Sequence, residues 1–363
     1  MPSSSLSSSQ PSRPSRPDGA SRLQPPGTWA NDRDAFLRAQ AHPWYRLVAD
    51  LFDVVLRTTY DHAGSQGLRA LPFPLTTRTI TCPSGMGSDS VPVPVTVNGV
   101  DTYLADSMQF MLEYGCRIGG QGCHGVLPSF RGDEPDATHL GQFTHSEAEI
   151  VGGLDRLIDY VEGYVRSLAT AIVDEQGARL AREIGDVSHV ERMAACDRGF
   201  ERLTFREAAR LVADVPGAVV VSGSARHLSR IGERALLERV GEFLWVTHFD
   251  HLGVPFYQAF ADGDETLARN GDLFFGPGEV VGSGQRHSTG EQVRRALALH
   301  EVPESEYAWY VRLKDALPME TAGFGLGVER YLMWVLRHDD IRDIPLVSRI
   351  AEPPRWPPSV DRP

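Results

Sequence analysis

The feature that most constrains this fold is a set of extended segments joined by turns too short for a crossover. VPVPVT and VDTYLA meet at Asn98-Gly99, and DLFF and EVVGSG meet at Gly276-Pro277. Strands joined by such turns pair antiparallel, because parallel strands need a connection of a dozen or more residues. Long amphipathic helical patterns lie beside these hairpins. We therefore predict an α+β fold, in which a mixed sheet is covered by segregated helices.

Periodicity predicts the positions of the main elements. Apolar residues at helical spacing behind Pro43 predict a helix over 43–57, and similar patterns predict helices over 154–172, 290–300 and 328–336. Further strands are predicted over 78–85, 124–131, 142–150, 243–249, 254–260 and 322–327. Residues 201–242 are interpreted as a smaller helical insertion that holds one short strand, GAVVVSG.

The ends of the chain differ in composition from the rest. Residues 1–30 are dominated by Ser, Pro, Arg and Gln, with too few apolar side chains to offset the entropy of ordering them. We predict a disordered tail over 1–30, one folded domain over 31–352 and a Pro-rich tail over 353–363.

Composition excludes several classes of protein. The chain has 36 Lys and Arg against 48 Asp and Glu, a net charge of −12, which argues against a DNA-binding protein. It has no apolar run of the roughly 20 residues that span a membrane. Its cysteines lack both zinc-site spacing and the density of a disulfide framework, which favours the cytoplasm: Cys82, Cys116, Cys123 and Cys196.

A glycine-rich segment, GFGLG at 323–327, is followed directly by Glu329-Arg330. Alone it is a weak signal, because glycine-rich loops serve turns and bulges more often than phosphates. A glycine strand nevertheless lets a flat ligand lie against bare backbone. An arginine at the start of the following helix can stack on that ligand or contact a phosphate.

A second segment, PSFRGD, places Arg131 at the end of a strand and Asp133 two residues later, on the same face. An arginine can grip a phosphate in a bidentate manner, and a nearby acid can accept from an exocyclic amine. The returning strand carries Phe143, Glu147 and Glu149 on one face. These residues predict an aromatic platform for a base and acids for a metal, although a solvated acidic edge with a core phenylalanine fits equally well.

A third segment, DLFFGPGEVVGSGQR, brings Asp272 and Glu279 to either side of a Gly-Pro turn. Two carboxylates at such a turn suit a magnesium ion that bridges phosphates. Arg286, after a Gly-Ser-Gly bend, is placed to meet a carboxylate or a carboxamide. The alternative for this segment is a turn-rich connector with an exposed arginine.

In this order, the segments resemble class II aminoacyl-tRNA synthetases of the asparaginyl/aspartyl subgroup. FRGDEPDATHLGQFTHSEAEI resembles motif 2 of that family, FRAE…RHL.EF….E.E, and GFGLGVER resembles motif 3, GxGxGxER. DLFFGPGEVVGSGQR resembles D…GxGEIIGGSQR, LADSMQFMLEYG resembles the LxxSPQLYLQ strand, and IRDIPLVSR resembles IRDVIPFPR. The resemblance covers roughly residues 75–350. It implies a mainly antiparallel sheet flanked by helices, with helix 43–57 and the strand ending near Pro83 as the dimer-forming motif 1.

The resemblance also implies roles for individual residues. Arg131 and Arg330 would be the catalytic arginines, and Asp272 and Glu279 would hold Mg²⁺. Arg131 would contact the α-phosphate of ATP, and Asp133 would contact the adenine amino group. Phe143 and Arg330 would sandwich the adenine, Gly327 would belong to the ATP site, and Glu279 would contact ATP through the metal. Gln109 would bind the substrate α-amino group, and Gln142 and Arg286 would bind the substrate side chain. The implied chemistry is attack of an amino-acid carboxylate on ATP to give an acyl-adenylate and pyrophosphate. Positioning and charge suffice for it, since the nucleophile is already an anion.

The departures from the family pattern leave the substrate open. Leu112 stands where aspartate enzymes have a lysine, and Gln142 stands where asparagine enzymes have a glutamate. The loop at 132–140 lacks an arginine and retains Thr138-His139-Leu140, which predicts a weaker grip on the γ-phosphate. SDSVPVPV replaces an expected acid-glycine loop, and no five-stranded anticodon-binding barrel fits before residue 70.

We therefore predict a cytoplasmic homodimer that activates asparagine, aspartate or an analogue in an ATP- and Mg²⁺-dependent reaction. The acceptor is tRNA, ammonia, a small molecule or a protein. One alternative is asparagine-synthetase-like amidation of aspartate by ammonia. Another is a non-catalytic regulator that binds adenylates or amino acids, which the altered loop favours and the retained arginines and metal acids disfavour.

Overall fold

The computed structural model describes residues 22–27, 29, 35–81, 91–348 and 350 of the chain. The helices in these residues are α1 (Ala35–Ala41), α2 (Pro43–Ser65), α3 (Gln109–Arg117), α4 (Leu154–Glu183), α5 (Ser188–Ala194), α6 (Phe205–Leu211), α7 (Arg230–Val240), α8 (Gly290–Leu299), α9 (Ala308–Ala316) and α10 (Val328–Leu336). The predicted Pro-rich tail, most of the predicted N-terminal tail and Cys82 lie outside the described residues.

The strands form one large sheet and three small ones. They are β1 (Arg69–Ala70), β2 (Thr76–Thr77), β3 (Val93–Val97), β4 (Val100–Leu104), β5 (Gly122–Phe130), β6 (Gln142–Val151), β7 (Glu201–Thr204), β8 (Val219–Ser222), β9 (Ala225–Leu228), β10 (Leu244–Thr247), β11 (Phe260–Ala261), β12 (Asp264–Ala268), β13 (Asn270–Phe275), β14 (Gly278–Gln285) and β15 (Thr321–Gly327). The large sheet has the order β1-β5-β6-β15-β14-β13-β10-β7.

This sheet is antiparallel at its centre and parallel only at its two edges. The pairs from β5 through β10 are antiparallel, whereas β1 pairs parallel with β5 and β7 pairs parallel with β10. The prediction of an α+β fold with a mainly antiparallel sheet flanked by helices is confirmed. The predicted hairpin at 98–99 is also present, and Asn98 and Gly99 have φ of 52° and 75°, as a two-residue type I′ turn requires.

The alternation of β6 separates the core from the site. Ser146 points to one face, where its hydroxyl lies 2.8 Å from the hydroxyl of Tyr164 on α4. That face packs against α2, α4 and α10 in the main hydrophobic core. Glu147 points to the opposite face, where the backbone N–H of Met108, just before α3, donates to it over 2.8 Å. Odd-numbered residues of β6 therefore face the candidate site.

The structure corrects four predictions of local structure. The segment around Gln109, expected as a strand, is helix α3, because Met108, Leu112 and Cys116 recur at helical spacing and pack against Cys123. Residues 254–259 form turns, with only Phe260–Ala261 in a strand, because Phe256 and Tyr257 are buried in a cluster with α8 and α9.

The other two corrections concern short strands. Of the predicted strand 78–85, residues 78–81 form bends, and 82–85 lie outside the described residues. The segment 201–242 holds three strands instead of one: β7 joins the edge of the large sheet, and β8 and β9 form a separate hairpin. The polar sequences ERLT and ARHL carry no apolar alternation, so these strands depend on their partners.

Candidate active site

A cavity of about 240 Å³ lies over the exposed ends of β6, β14 and β15. Five of the residues singled out from the sequence line it: Arg131, Phe143, Glu279, Gly327 and Arg330. They come from five separate segments, from the end of β5 to the start of α10. The fold thus brings together the aromatic ring, the two arginines and one acid that were expected to meet a nucleotide.

The glycines of β15 make this cavity possible. Gly323, Gly325 and Gly327 pair across the sheet with Glu149, Glu147 and His145 of β6. A Cβ on Gly323 would lie 1.8 Å from Glu149 Oε2, and one on Gly325 would lie 3.6 Å from Glu147 Oε1. The glycine strand therefore leaves room for the large polar side chains of β6, in addition to a flat floor at Gly325 and Gly327.

Arg131 and Phe143 form one wall of the cavity. The guanidinium carbon of Arg131 lies 5.4 Å from the centre of the Phe143 ring. The buried Nε of Arg131 has no hydrogen-bond partner among the described residues. An unsatisfied, buried cationic donor is costly unless an anion completes it.

Arg330 forms the opposite wall. Its Nη1 donates to the backbone oxygen of Glu279 over 2.9 Å, and its Nη2 lies 3.4 Å from the backbone oxygen of Thr138. Burial lowers the pKa of Arg330, Glu279 raises it, and the positive charges of Arg131 and Arg230 lower it further. The cavity is therefore a region where positive charges are crowded.

Two other residues of this cavity hold its shape. Glu329 accepts from the Thr144 backbone N–H with both oxygens, at 2.9 and 3.0 Å, which fixes α10 to β6. Burial raises the pKa of Glu329 to about 7. Burial, Arg131 and Arg330 lower the pKa of His145 to about 3, so its imidazole is neutral at pH 7.

Asp272 and Glu279 lie on the neighbouring strands β13 and β14. A Cβ on Gly282 would lie 3.1 Å from Glu279 Oε1 and 3.9 Å from Asp272 Oδ1, so both carboxylates converge over this glycine. Burial and the charge of Glu279 raise the pKa of Asp272 well above its ordinary value. Among the described residues, no group of three or more His, Cys, Asp or Glu side chains forms a metal site by itself.

A two-carboxylate set nevertheless fits magnesium. Mg²⁺ is commonly bound through one or two carboxylates, with phosphate oxygens and water completing the octahedron. The repulsion between Asp272 and Glu279 is the observation that supports this fit, since a divalent cation between the carboxylates relieves it.

Gln109 and Arg286 meet in a second centre, deeper in the same face of the sheet. Arg286 is 3% exposed, and its Nε lies 3.3 Å from Glu149 Oε2. Its Nη1 donates to Gln258 Oε1 over 3.0 Å, and its Nη2 donates to Gln109 Oε1. The Nε2 of Gln109 in turn donates to Glu113 Oε1 over 2.8 Å.

Beneath this centre lies an ion pair that the sequence did not reveal. Glu113 and Lys314 are both fully buried and paired, and Lys314 Nζ also donates to the backbone oxygen of His287 over 2.7 Å. The Tyr310 hydroxyl donates to Glu113 Oε1 over 2.8 Å. Burial tends to raise the pKa of Glu113, but Lys314 and Arg286 outweigh it and hold this pKa below its ordinary value. The one available signal was that Lys314 is the only lysine in the chain.

Glu147 was noted for its face on β6, but its partners were not expected. The Ser107 hydroxyl donates to Glu147 Oε1, and the Met108 N–H donates to its Oε2 over 2.8 Å. Burial raises the pKa of Glu147 to about 7. Glu147 therefore links β6 to the start of α3 and sets the position of Gln109.

Three residues singled out from the sequence lie away from these two centres. Asp133 is in the loop after β5, 3.4 Å from the Val91 N–H, and does not line the cavity formed by Arg131, Phe143 and Arg330. Gln142 is exposed at the start of β6, opposite Phe130. Leu112 is buried against Cys116 and Cys123. Its position therefore belongs to the apolar packing of α3.

This sheet and its two polar centres define a class II aminoacyl-tRNA synthetase-like fold. Residues 48–350 match the family model described as tRNA synthetases class II (D, K and N), and the chain belongs to this family. None of the described helices combines the length and the apolar character needed to cross a membrane.

Curated relatives that match this chain are named asparagine–tRNA ligases. The chain is 27% identical over 272 residues to a probable cytoplasmic asparagine–tRNA ligase of Encephalitozoon cuniculi, covering 69% of this chain and 56% of that protein. It is 22% identical over 320 residues to an asparagine–tRNA ligase of Koribacter versatilis, covering 85% and 70%. The chain thus spans just over half of the first of these relatives.

Solved structures show the same fold. The asparaginyl-tRNA synthetase of Pyrococcus horikoshii, complexed with asparaginyl-adenylate, superposes with a TM-score of 0.77 at 21% identity, covering 88% of this chain and 71% of that one. The aspartyl-tRNA synthetase of Entamoeba histolytica gives a TM-score of 0.70 at 18% identity, covering 89% and 62%.

Proposed function

We propose that this chain is a ligase that activates asparagine, or an analogue with a neutral carboxamide side chain, by forming an acyl-adenylate from ATP. The observation that carries this proposal is the convergence of Arg131, Phe143, Glu279 and Arg330 on one cavity. The names of its relatives and the asparaginyl-adenylate bound to a protein of the same fold support it.

In this proposal the adenine lies between Phe143 and Arg330, against the bare backbone of Gly325 and Gly327. Arg131 binds the α-phosphate, which satisfies its unpaired Nε. The reaction needs no general base, because the attacking carboxylate is already ionised. The neutral imidazole of His145 therefore has no proton to remove from the nucleophile in this step. Orientation and charge stabilisation by the arginines supply the catalysis.

Asp272 and Glu279 hold Mg²⁺ in this proposal. The ion neutralises charge on the phosphates when it is bound. The two carboxylates orient it from strands β13 and β14, whose pairing across the sheet keeps them together.

The proposal of a neutral side chain rests on the charges around Arg286. Arg286 and Lys314 are positive, and Glu149 and Glu113 lie in contact with them as the matching acids. A substrate carboxylate in this centre would meet two cations that already have acidic partners. Glu147, a further acid nearby, provides no positive charge to pair with it. A carboxamide carries no net charge and can both donate and accept, which suits Gln109, Gln258 and Arg286.

Several finer features belong to the same proposal. We assign residues 31–352 to one catalytic domain, with 201–242 as an elaboration of it, and we expect a cytoplasmic homodimer. The acceptor of the acyl group need not be tRNA, and the net charge of −12 gives no support to strong tRNA binding.

Amino-acid-dependent pyrophosphate exchange tests the proposal. The full chain is incubated with ATP, MgCl₂, labelled pyrophosphate and each of the twenty amino acids, with carboxamide analogues added to the panel. We expect ATP to be re-formed with asparagine or a carboxamide analogue. With aspartate the exchange rate should be at least about tenfold lower, because a tenfold ratio corresponds to the loss of one favourable contact with the substrate side chain. Exchange with none of them contradicts the proposal and leaves the binding regulator.

Addition of acceptors then separates the possible products. Ammonia, total tRNA and small amines are supplied in turn to the exchange-active enzyme, and AMP release is measured. Stimulation by ammonia with aspartate as the best substrate indicates amidation and contradicts the carboxamide assignment. Stimulation by tRNA indicates aminoacylation.

A further inference from the structure

The cavity lined by Arg131, Phe143, Glu279 and Arg330 is the nucleotide cavity of our proposal, and a second cavity adjoins it at the start of α7. It measures about 140 Å³ and shares Thr138, His139, Glu279 and Arg330 with the first cavity. Its other lining residues are Arg230, Glu233, Pro277 and Met333. Helix α7 therefore brings new charged side chains to the side of Arg330 and Glu279 that faces away from Phe143.

Arg230 is the first residue of α7, and its place is fixed by the residues around it. The Ser229 hydroxyl caps the helix by accepting from the Gly232 N–H. Gly232 has no room for a side chain, since a Cβ there would lie 2.3 Å from the backbone oxygen of Ala218. The first turn of α7 is thus held close to β8, and the base of the Arg230 side chain is held with it.

Arg230 makes no hydrogen bond or ion pair with any of the described residues. Other arginines nearby are paired: Arg192 forms an ion pair with Glu242, and Arg337 forms one with Asp186 over 2.8 Å. Both of these line a third, outer cavity, which Arg230 also borders. Arg230 therefore differs from Arg192 and Arg337 in having no partner among the described residues, and it differs from Arg234 in also lining the second cavity.

Charge in the second cavity points to a polyanion. Burial lowers the pKa of Arg330, and the positive charges of Arg131 and Arg230 lower it further. The acids of this cavity are Glu279, which it shares with the first cavity, and Glu233, which lies three residues after Arg230 on α7. Arg131 lines the first cavity, Arg230 lines the second, and Arg330 and Glu279 line both. Arginines spread over two adjoining cavities, with an acid assigned to Mg²⁺ between them, match a chain of phosphates with its metal.

The loop at 132–140 contains neither lysine nor arginine. Thr138 directs its backbone oxygen to Arg330, and the His139 Nδ1 lies 3.2 Å from Asp136 Oδ1. The sequence therefore predicted a weak grip on the γ-phosphate. Arg230 enters the same space from a different element of the fold.

We propose that Arg230 binds the terminal phosphates of ATP, and so supplies from α7 the cation that the 132–140 loop lacks. This inference rests on the proposed function, because it assigns the β- and γ-phosphates of the same nucleotide. It makes Arg230 a binding residue for the triphosphate and for the pyrophosphate that leaves.

Comparing ATP with AMP tests this assignment. Binding of ATP, AMP and pyrophosphate, each with MgCl₂, is measured by calorimetry on the full chain and on the variants Arg230→Ala, Arg230→Lys and Arg234→Ala. Arg234 is the matched control: it lies one turn later on α7, has no partner among the described residues and lines only the outer cavity. Thermal melting of each variant checks the fold.

We expect Arg230→Ala to weaken ATP and pyrophosphate binding roughly 10- to 100-fold, the range for one charge-assisted contact, and to leave AMP binding within twofold. Arg230→Lys should recover part of the loss, and Arg234→Ala should match the parent. Unchanged ATP binding in Arg230→Ala overturns the inference while the proposed function stands. Equal losses for ATP and AMP overturn it in favour of a structural role, and a parent chain that binds neither nucleotide overturns both proposals.

Discussion

The two polar centres of this protein differ in how their charges are compensated. In the nucleotide cavity, Arg131 has an unsatisfied buried donor, and Arg330 is crowded by other guanidinium groups. In the centre around Arg286, each cation has an acid beside it: Arg286 has Glu149, and Lys314 has Glu113. Both centres lie on the same face of one sheet, within a few residues of each other on β6.

This difference indicates what each centre binds. A site with uncompensated positive charge is stabilised by an anion that enters it, and in our proposal this anion is a phosphate chain. A site whose ions are already paired gains nothing from a further charge, and it selects a neutral polar group by the geometry of its hydrogen bonds. Four predictions test this comparison, in order of decreasing effect.

The largest effect is expected for Arg131→Ala. The uncompensated guanidinium contacts the reacting phosphate in our proposal, and loss of such a contact lowers a rate by about 10³-fold. Pyrophosphate exchange measures the rate, and circular dichroism and melting temperature check the fold. Arg295→Ala, which removes an exposed ion pair with Glu265, is the control and should leave exchange unchanged. Pyrophosphate exchange at the parental rate in Arg131→Ala would contradict the proposed contact of Arg131 with the reacting phosphate.

The second effect concerns stability. Lys314→Met leaves Glu113 buried without its cation, which should lower the free energy of unfolding by at least about 3 kcal/mol. Urea unfolding measures it. In the double variant Glu113→Gln, Lys314→Met, the amide oxygen still accepts from Tyr310 and Gln109, and most of the loss should be recovered. A double variant as unstable as the single one shows that Lys314 acts through packing alone.

The third effect is a pH dependence of stability. Burial raises the pKa of Glu329 to about 7, so the folded state favours its protonated form. This contribution is complete below the unfolded pKa of about 4.5 and is lost as the pH rises toward 7, up to about 3 kcal/mol. Glu329→Gln should therefore flatten the decline in unfolding free energy between pH 5 and 8. An identical decline in both proteins argues against the raised pKa.

The smallest effect is a change of selectivity. Glu113→Gln removes one acid from the centre around Arg286 and leaves Lys314 without its counter-charge. The ratio of exchange rates for aspartate over asparagine should rise by roughly tenfold, because a substrate carboxylate can now be paired. Exchange kinetics with both amino acids measure this ratio. An unchanged or lower ratio indicates that the paired charges do not set the preference.

Part of the site could be predicted because its residues follow short, local patterns. Gly325 and Gly327 precede Arg330 in one strand and helix, and Asp272 and Glu279 lie on the two strands of one hairpin. Local pairing of this kind depends on turn chemistry and on strand alternation, which are visible in the sequence. The same reasoning failed at α3, where the expected strand is a helix, because the apolar period of Met108, Leu112 and Cys116 was overlooked.

Other parts of the site could not be predicted because they join residues with no local pattern. Glu113 and Tyr310 are 197 residues apart in the chain, and they meet only because α3 and α9 pack on the same face of the sheet. Arg230 likewise comes from a segment interpreted as an insertion, and its polar neighbours gave no sign that it borders the nucleotide cavity.

The sequence by itself determined the class of fold, the order of the segments that carry the nucleotide site and the family to which they belong. Hydrophobic period, turn residues and short motifs are local properties, and each can be read without knowing its partners. Only the tertiary structure decided which charges are compensated, since the pairing of Lys314 with Glu113 and the isolation of Arg230 depend on distances between remote elements.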